Sequence, residues 1–475
     1  MPAFTDLREF LTLLEEQHQL LRVTEQVALE PDLGAAGSAL TRVGENSPAV
    51  RFDDIAGYEH ASVVMNVHGS WANHALALGL PKEATPKEQF EAFVKGYLKY
   101  PGELQRVDTA PWQEVVVDKD INLFDLMPLC RLNRGDGGFF LDKPCVISRD
   151  PDDWDNDDLE NVGVYRLQVK DRNRLGLQSV PQHDIAIQLA HAEARGHDLP
   201  IAIALGNEPL ITLMGATPML YDQLEYKMAG AMQGEPYRVT QTDKGLDVPW
   251  GSEYVLEGRI LARQREVEGP FGEFPGYYSG CHLYPVIEID RVLHRKDPIY
   301  DTVYVGRPWT ELDYLQAMTT SAPIYAQLKN DFPEVQAVNA LYTHGLVVVV
   351  STKTRYGGFA KAIGMRLLTT THGLGYASIV IVVDEDVDPF DLNQVMWAMS
   401  VKVNPDGDIA IVPNLSVNLL SPAGQPPGIS HKMIIDATTP KPPDVRGDYG
   451  EELDTPLTTD VWHTKLTAMI KEMRG

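Results

Sequence analysis

At 475 residues the chain exceeds what one hydrophobic core usually supports and predicts two or three domains. Its 41 Lys and Arg against 67 Asp and Glu give a formal charge of −26, which argues against binding nucleic-acid phosphates or an anionic membrane. Cys130, Cys145 and Cys281 are isolated thiols without CxxC spacing. No secretory leader opens the sequence and no apolar run approaches the roughly 18 residues of a membrane span, so a cytoplasmic location is expected.

Thr5 or Asp6 can cap a first helix whose apolar stripe holds Leu7, Phe10, Leu11 and Leu14. A strand over 20–27 follows, then an Ala-rich helix over 31–43 stopped by Gly44. Short strands over 49–52 and 62–67 and helices over 71–80 and 86–100 complete a small α/β unit, with 101–111 as a linker. From Glu114 the texture changes to strands over 114–118, 145–149, 162–170, 201–205, 210–214, 253–262 and 284–290, interrupted by helices over 182–194 and 221–232. Many strands with few helices predict a barrel-like middle domain. The acidic run 150–160 resembles a calcium loop in composition only, because the glycine and terminal glutamate of an EF-hand are missing; a solvated loop is expected. After Asp301 helix and strand alternate again: helices over 312–330, 359–368 and 392–401, strands over 336–342, 346–351 and 378–383. A third, α/β domain fits this order. A Pro- and Asp-rich arm over 440–456 then leads to a final helix over 459–473 with Trp462, Leu466, Met469 and Met473 on one stripe, suited to docking on a neighbouring subunit.

There is no P-loop, HExxH helix, GxSxG elbow or CxxC pair, and Gly373-Leu374-Gly375 lacks the third glycine of a dinucleotide fingerprint. The most unusual stretch is Glu268-Gly269-Pro270-Phe271-Gly272-Glu273-Phe274-Pro275-Gly276-Tyr277-Tyr278. Its turn formers exclude a plain strand, and its aromatics are out of keeping with a solvent loop. Folded tightly, it presents Glu268 and Glu273 to an aromatic, partly dry cavity, where a carboxylate pKa rises toward neutrality and suits acid–base work. An ordinary Gly/Pro loop with two solvated glutamates is the alternative. In the strand Asn161-Val162-Gly163-Val164-Tyr165-Arg166-Leu167-Gln168, regular alternation puts Asn161, Gly163, Tyr165 and Leu167 on one face and Arg166 on the other, where it needs a carboxylate partner. His183 opens a helix and Glu225 sits within one. Taken one at a time, these residues also suit a surface ion pair, a helix cap and an exposed helical glutamate.

Together, EGPFGEFPGYYS, NVGVYRLQ, the PQH helix start and LEYKMAGAMQGEP resemble the UbiD family of decarboxylases, in the family's order. The likeness continues through VNALYTHG, VVDEDVDPFDLNQVMWA and SHKMIIDATTP, so it spans nearly the whole chain. TLMGATPMLYDQLEY, PWTELDYL and NALYTHGL carry a narrower resemblance to the large catalytic subunit of the non-oxidative hydroxyarylic acid decarboxylases, which act on 4-hydroxybenzoate, vanillate, protocatechuate or gallate.

The resemblance implies an α+β, α/β multidomain fold: an N-terminal α/β domain (1–112), a split β-barrel that binds flavin (113–305), a C-terminal α/β dimerisation domain (306–440), and an arm with a helix (441–475). It implies reversible, non-oxidative decarboxylation with prenylated FMN, whose electrophilic ring provides the electron sink that an aromatic carbanion lacks. Arg166, Glu268 and Glu273 match the catalytic trio, with Arg166 and Glu268 orienting the carboxylate and Glu273 delivering the proton. Asn161, His183 and Glu225 match the ligands of Mn2+ or Mg2+ bridging to the cofactor phosphate, a hard-ion donor set. A K+ ion is expected near Glu225 and the carbonyls around Gly215. Tyr165, Gln182 and the Ala216-Thr217-Pro218 turn match cofactor-contacting positions, and His372 stands where some members have a lysine near the phosphate. Phe274, Trp309, Asp313 and Tyr314 are expected at the substrate pocket. The implied partners are a small aromatic acid, a flavin prenyltransferase that supplies the cofactor, a small accessory subunit, and further copies in a homodimer or dimer-based hexamer. A flavin-binding or assembly protein without turnover, and the same enzyme working as a phenol carboxylase, are the alternative functions.

Overall fold

The computed structural model describes residues 2–342, 344–424, 426–444, 453 and 455–474. It is a mixed α/β architecture. The first helix, Leu7–Glu16, is capped by Asp6, whose side chain accepts from the Glu9 N–H, and buries Leu7, Phe10, Leu11 and Leu14 as their spacing predicts. It packs beside a four-stranded sheet ordered Leu20–Val23, Ala49–Phe52, Ser62–Met65 and Ile299–Thr302. The fourth strand returns from far along the chain to pair in parallel with Ser62–Met65. The 101–111 connection is tied down rather than free, because Leu104–Arg106 pairs in parallel with Tyr237–Gln241.

The centre is a nine-stranded sheet that curls into a half-barrel. Its order is Phe140–Leu141, Leu167–Val169, Arg174–Leu177, His282–His294, Tyr254–Glu268, Leu199–Leu205, Cys145–Arg149 and Glu160–Val164, with Val115–Val117 paired to His282–His294. We label Glu160–Val164 β1, Tyr254–Glu268 β2 and His282–His294 β3. Register shifts near Gly258 and between Ile260 and Arg265 break the long β2–β3 ladder, and such bulges bend a sheet. One face of the half-barrel buries Val146, Ile201, Ile203, Leu256 and Ile289.

Two expectations change here. The strand predicted over 162–170 is two strands: β1 lies at one end of the sheet and Leu167–Val169 next to the other end, so Tyr165 and Arg166 span the gap between the two. The alternation of faces therefore stops at Val164. The strand predicted over 210–214 is a helix, Pro209–Gly215. Pro209 takes the first helical turn, and the Glu208 carboxylate accepts from the N–H groups of Leu210 and Ile211, both at 2.6 Å. Every residue from Pro209 to Met214 is buried, so no polar face was available to betray a helical period.

Three further helices matter for the site: α1 (Asp184–Arg195), α2 (Pro209–Gly215) and α3 (Glu225–Gln233). The acidic run 150–160 is not simply solvated. Asp150 is buried and accepts from His191 Nδ1 at 3.0 Å and from the Tyr221 hydroxyl, while Asp157 pairs with Arg106 at 2.7 Å.

Helix α4 (Glu311–Asp331) leads into a five-stranded sheet ordered Val335–Tyr342, Val347–Thr352, Ile379–Asp384, Ile429–Ala437 and Ile409–Ser416. Ile324 and Leu328 of α4 share a core with Val348, Val350, Val380 and Val382. The last two strands went unread in the sequence, where Pro413 and Asn414 interrupt the pattern; the ladder slips its register at that point. The final helix is Thr459–Arg474, and Trp462, Leu466, Met469 and Met473 are exposed along it. Most of the arm before it, 445–452 and 454, lies outside the described residues.

Candidate active site

Arg166 sits in the gap between the ends of the curled sheet, buried at 8 % exposure. Glu268, the last residue of β2, is fully buried. The two form a bidentate pair, Nε to Oε1 at 2.9 Å and Nη2 to Oε2 at 2.8 Å. Beyond Glu268 the chain makes a compact loop before β3. Gly269 and Gly276 take positive φ of 95° and 83°, Gly272 bridges to Tyr278, and the Glu273 N–H donates to the Tyr277 carbonyl at 2.9 Å. This fold turns Glu273 back onto Arg166, whose Nη1 donates to Glu273 Oε1. Phe271 covers the guanidinium at 5.1 Å and packs at a tilt against Phe140. Ser279 Oγ accepts from Arg166 Nη2 at 3.3 Å and from the Phe271 N–H at 3.1 Å. The two glutamates are thus buried against aromatics rather than solvated.

The electrostatics divide the two ends of the pair. Burial pushes the Glu273 carboxyl above the usual range, and Arg166 only partly opposes it. For Arg166, burial works against the charge, but Glu273 and Glu268 outweigh it and hold the guanidinium above its ordinary value. The arrangement is a permanent cation beside an acid inclined to keep its proton.

A second group gathers at the other side of Tyr165. The Asn161 side chain lies beside the Tyr165 hydroxyl, and the Tyr165 ring lies 5.1 Å from the imidazole of His183, at the N-terminus of α1. Tyr165 folds back over Gly163, where a Cβ would stand 2.3 Å from the ring. Only glycine fits there. Glu225, the first residue of α3, is buried and accepts from the Val162 N–H at 3.0 Å. Burial raises its carboxyl well above the ordinary value, and burial lowers His183 to about 4, leaving a neutral imidazole. The end of α2 closes on the same strand: a Cβ at Gly215 would stand 3.2 Å from the Val162 carbonyl oxygen, and Thr217 bonds back to Leu213 and Met214. Ala216 and Pro218 are half-buried beside it, and Gln182 is exposed next to His183.

The remaining expected residues separate. Phe274 packs at a tilt on His344, centroids 4.7 Å apart, and His344 meets Tyr376 and His372, which stack on each other at 4.5 Å. Burial keeps both imidazoles neutral, at about 3 for His344 and about 4 for His372. Trp309 and Tyr314 instead pack on Trp71, and Asp313 caps the start of α4 by accepting from the Thr310 N–H at 2.8 Å. Sequence reading missed Ser279, His344 and Tyr376. Ser279 closes the quoted loop motif and His344 lies in the quoted VNALYTHG stretch, so both were within reach; Tyr376 only follows an ordinary short helix.

Three family models cover most of the chain. Those described as the N-terminal, Rift-related and C-terminal domains of 3-octaprenyl-4-hydroxybenzoate carboxy-lyase match residues 11–93, 105–308 and 313–437. The chain is 58 % identical to a phenolic acid decarboxylase of Bacillus subtilis over 99 % of its own length and 100 % of the relative's. It belongs to the UbiD family. Among solved UbiD relatives, the vanillic acid decarboxylase of Sedimentibacter hydroxybenzoicus in its closed form superposes with a TM-score of 0.94 at 52 % identity, covering 99 % of this chain and 100 % of that one. The UbiD-class enzyme HmfF of Pelotomaculum thermopropionicum, solved with FMN, gives 0.81 at 29 % identity, covering 96 % and 98 %. An evolved dimeric form of HmfF was solved with prFMN. Among the described residues of this UbiD chain, no helix is long and apolar enough to cross a membrane.

Proposed function

We propose that the chain is a prenylated-FMN-dependent decarboxylase of hydroxyaromatic acids, the reaction being reversible under high carbon dioxide. The observation that carries this reading is the buried Arg166 held between Glu268 and Glu273. The donor set around Tyr165 fits a flavin phosphate bound through a hard divalent cation. The buried Glu225, whose carboxyl burial makes reluctant to ionise without a counter-charge, would lose its proton when a cation binds, and with a neutral His183 and the Asn161 amide it provides oxygen and nitrogen ligands without a thiolate. Mn2+ or Mg2+ would be held there, and K+ by Glu225 with the carbonyls around Gly215. Tyr165, Gln182, the Ala216-Thr217-Pro218 turn and His372 are the proposed cofactor contacts.

When bound, prenylated FMN supplies the electron sink for cleaving the aryl–carboxyl bond. The chain's own residues do the rest. Four of the five guanidinium N–H groups of Arg166 already face Glu268, Glu273 and Ser279, so the group is fixed in place with one donor left for a substrate carboxylate. Glu268 keeps the guanidinium charged and oriented. Glu273, biased toward its protonated form, can donate to the same carboxylate and then pass its proton to the ring carbon once carbon dioxide departs. Phe271, Phe140 and Phe274 keep water away from these groups. The region 306–440 is the proposed dimer-forming part, with the exposed stripe of the final helix lying on the partner.

The test is expression together with a flavin prenyltransferase, followed by gas-release assays on 4-hydroxybenzoate, vanillate, protocatechuate and gallate. A modified-flavin absorbance and carbon dioxide from at least one acid are expected. A flavin-loaded protein that releases none from the whole panel contradicts the reading.

A further inference from the structure

The loop that carries Glu273 is braced from outside by a second turn, residues 133–137. Asp136 is buried, and both its carboxylate oxygens are engaged by backbone. Oδ2 accepts from the Asn133 N–H at 2.9 Å, while the Asp136 N–H donates to the Asn133 carbonyl at 3.0 Å, closing the turn on itself. Oδ1 accepts from the Gly272 N–H at 2.8 Å, directly before Glu273. On either side of that bond the contacts continue. The Gly137 N–H donates to the Pro270 carbonyl at 2.7 Å, the Gly135 N–H to the Tyr278 hydroxyl at 2.8 Å, and Asn133 Nδ2 to the Val305 carbonyl at 2.7 Å.

The approach is close enough to exclude side chains. A Cβ at Gly272 would stand 2.3 Å from Asn133 Nδ2, and one at Gly137 would stand 2.3 Å from the Gly269 carbonyl oxygen. The two turns therefore have one relative position. A buried carboxylate committed entirely to backbone donors, one of them the neighbour of the proposed proton donor, is a costly way to hold an ordinary loop.

We infer that Asp136, through the Gly272 N–H, is a positioning residue for Glu273, setting the distance between that carboxyl and the reacting ring carbon. This rests on the proposed role of Glu273, and the comparison must separate the two. The experiment measures kcat and KM for one hydroxybenzoate with flavin-loaded parent, Asp136→Ala, Asp136→Asn and Glu273→Gln proteins. Asp136→Ala should lower kcat about 10-fold or more while KM stays within about twofold, because displacement of the donor affects the chemical step and not substrate capture. Asp136→Asn keeps an oxygen able to accept from Gly272 and should recover part of the loss. If Glu273→Gln is inactive yet Asp136→Ala retains its kcat, or loses activity through KM alone, the positioning role is overturned. If Glu273→Gln itself turns over normally, the proton-donor reading fails first. Should Asp136→Ala not fold, Asp136→Ser, which keeps a small polar side chain in the turn but withdraws the oxygen that reaches the Gly272 N–H, carries the test. A several-fold loss of kcat at constant KM supports the inference, and an unchanged kcat overturns it.

Discussion

Arg166 lies 102 positions from Glu268 and 107 from Glu273, yet all three meet in one buried charge network. Removing the guanidinium leaves two acids without their cation, so Arg166→Ala should cost about 3 kcal/mol or more in the rate, a loss of roughly 100-fold, measured as kcat/KM of the flavin-loaded protein. The pH dependence follows from Glu273. Burial raises its pKa, so the donor is loaded below that value, and kcat should fall as pH rises through it. A pH–kcat profile that stays flat or climbs on the alkaline side contradicts the assignment. Glu268 and Glu273 stood out in an aromatic, turn-rich stretch and Arg166 in an apolar strand, but it was the resemblance to the UbiD family that joined the three. Asp136 was not legible, since Asn133-Arg134-Gly135-Asp136-Gly137 reads as any exposed polar turn until the Gly272 N–H appears against it.

At the scale of elements, capping and periodicity recovered most helices, and the failures have local causes. The wholly buried α2 hides its period, and the Tyr165–Arg166 step breaks what reads as one strand because the sheet curls there. The start of α4 depends on a contact that no local pattern announces. Lys143 is buried between Asp301 and Glu311, and Glu311 also accepts from the Asn66 and His68 N–H groups at 2.7 and 3.1 Å. This network ties the first sheet, the half-barrel and α4 together. Lys143→Met should destabilise by roughly 3–5 kcal/mol, because two buried carboxylates lose their counter-charge. Adding Asp301→Asn and Glu311→Gln should restore much of the loss. A thermal midpoint unmoved by Lys143→Met contradicts this account.

At the scale of the whole molecule, the change from α/β to strand-rich and back was visible in the sequence, but the return of Ile299–Thr302 to the first sheet was not. Pairing between strands so distant depends on the folded surface of both, and a reading of local pattern cannot supply it. The final helix points the other way: its periodicity was clear, and the stripe it predicted is exposed in the single chain. Removing residues 457–475 should therefore lower the assembly mass found by light scattering at a fixed protein concentration. An unchanged mass shows that the stripe serves no contact between copies.

The most direct test of the account is carbon dioxide release from 4-hydroxybenzoate or vanillate, whichever the parent accepts, by flavin-loaded parent and Glu273→Gln proteins of equal flavin content. Turnover by the parent and none by the variant is the predicted result. Equal rates from the two would contradict the claim that the Glu273 proton completes the reaction.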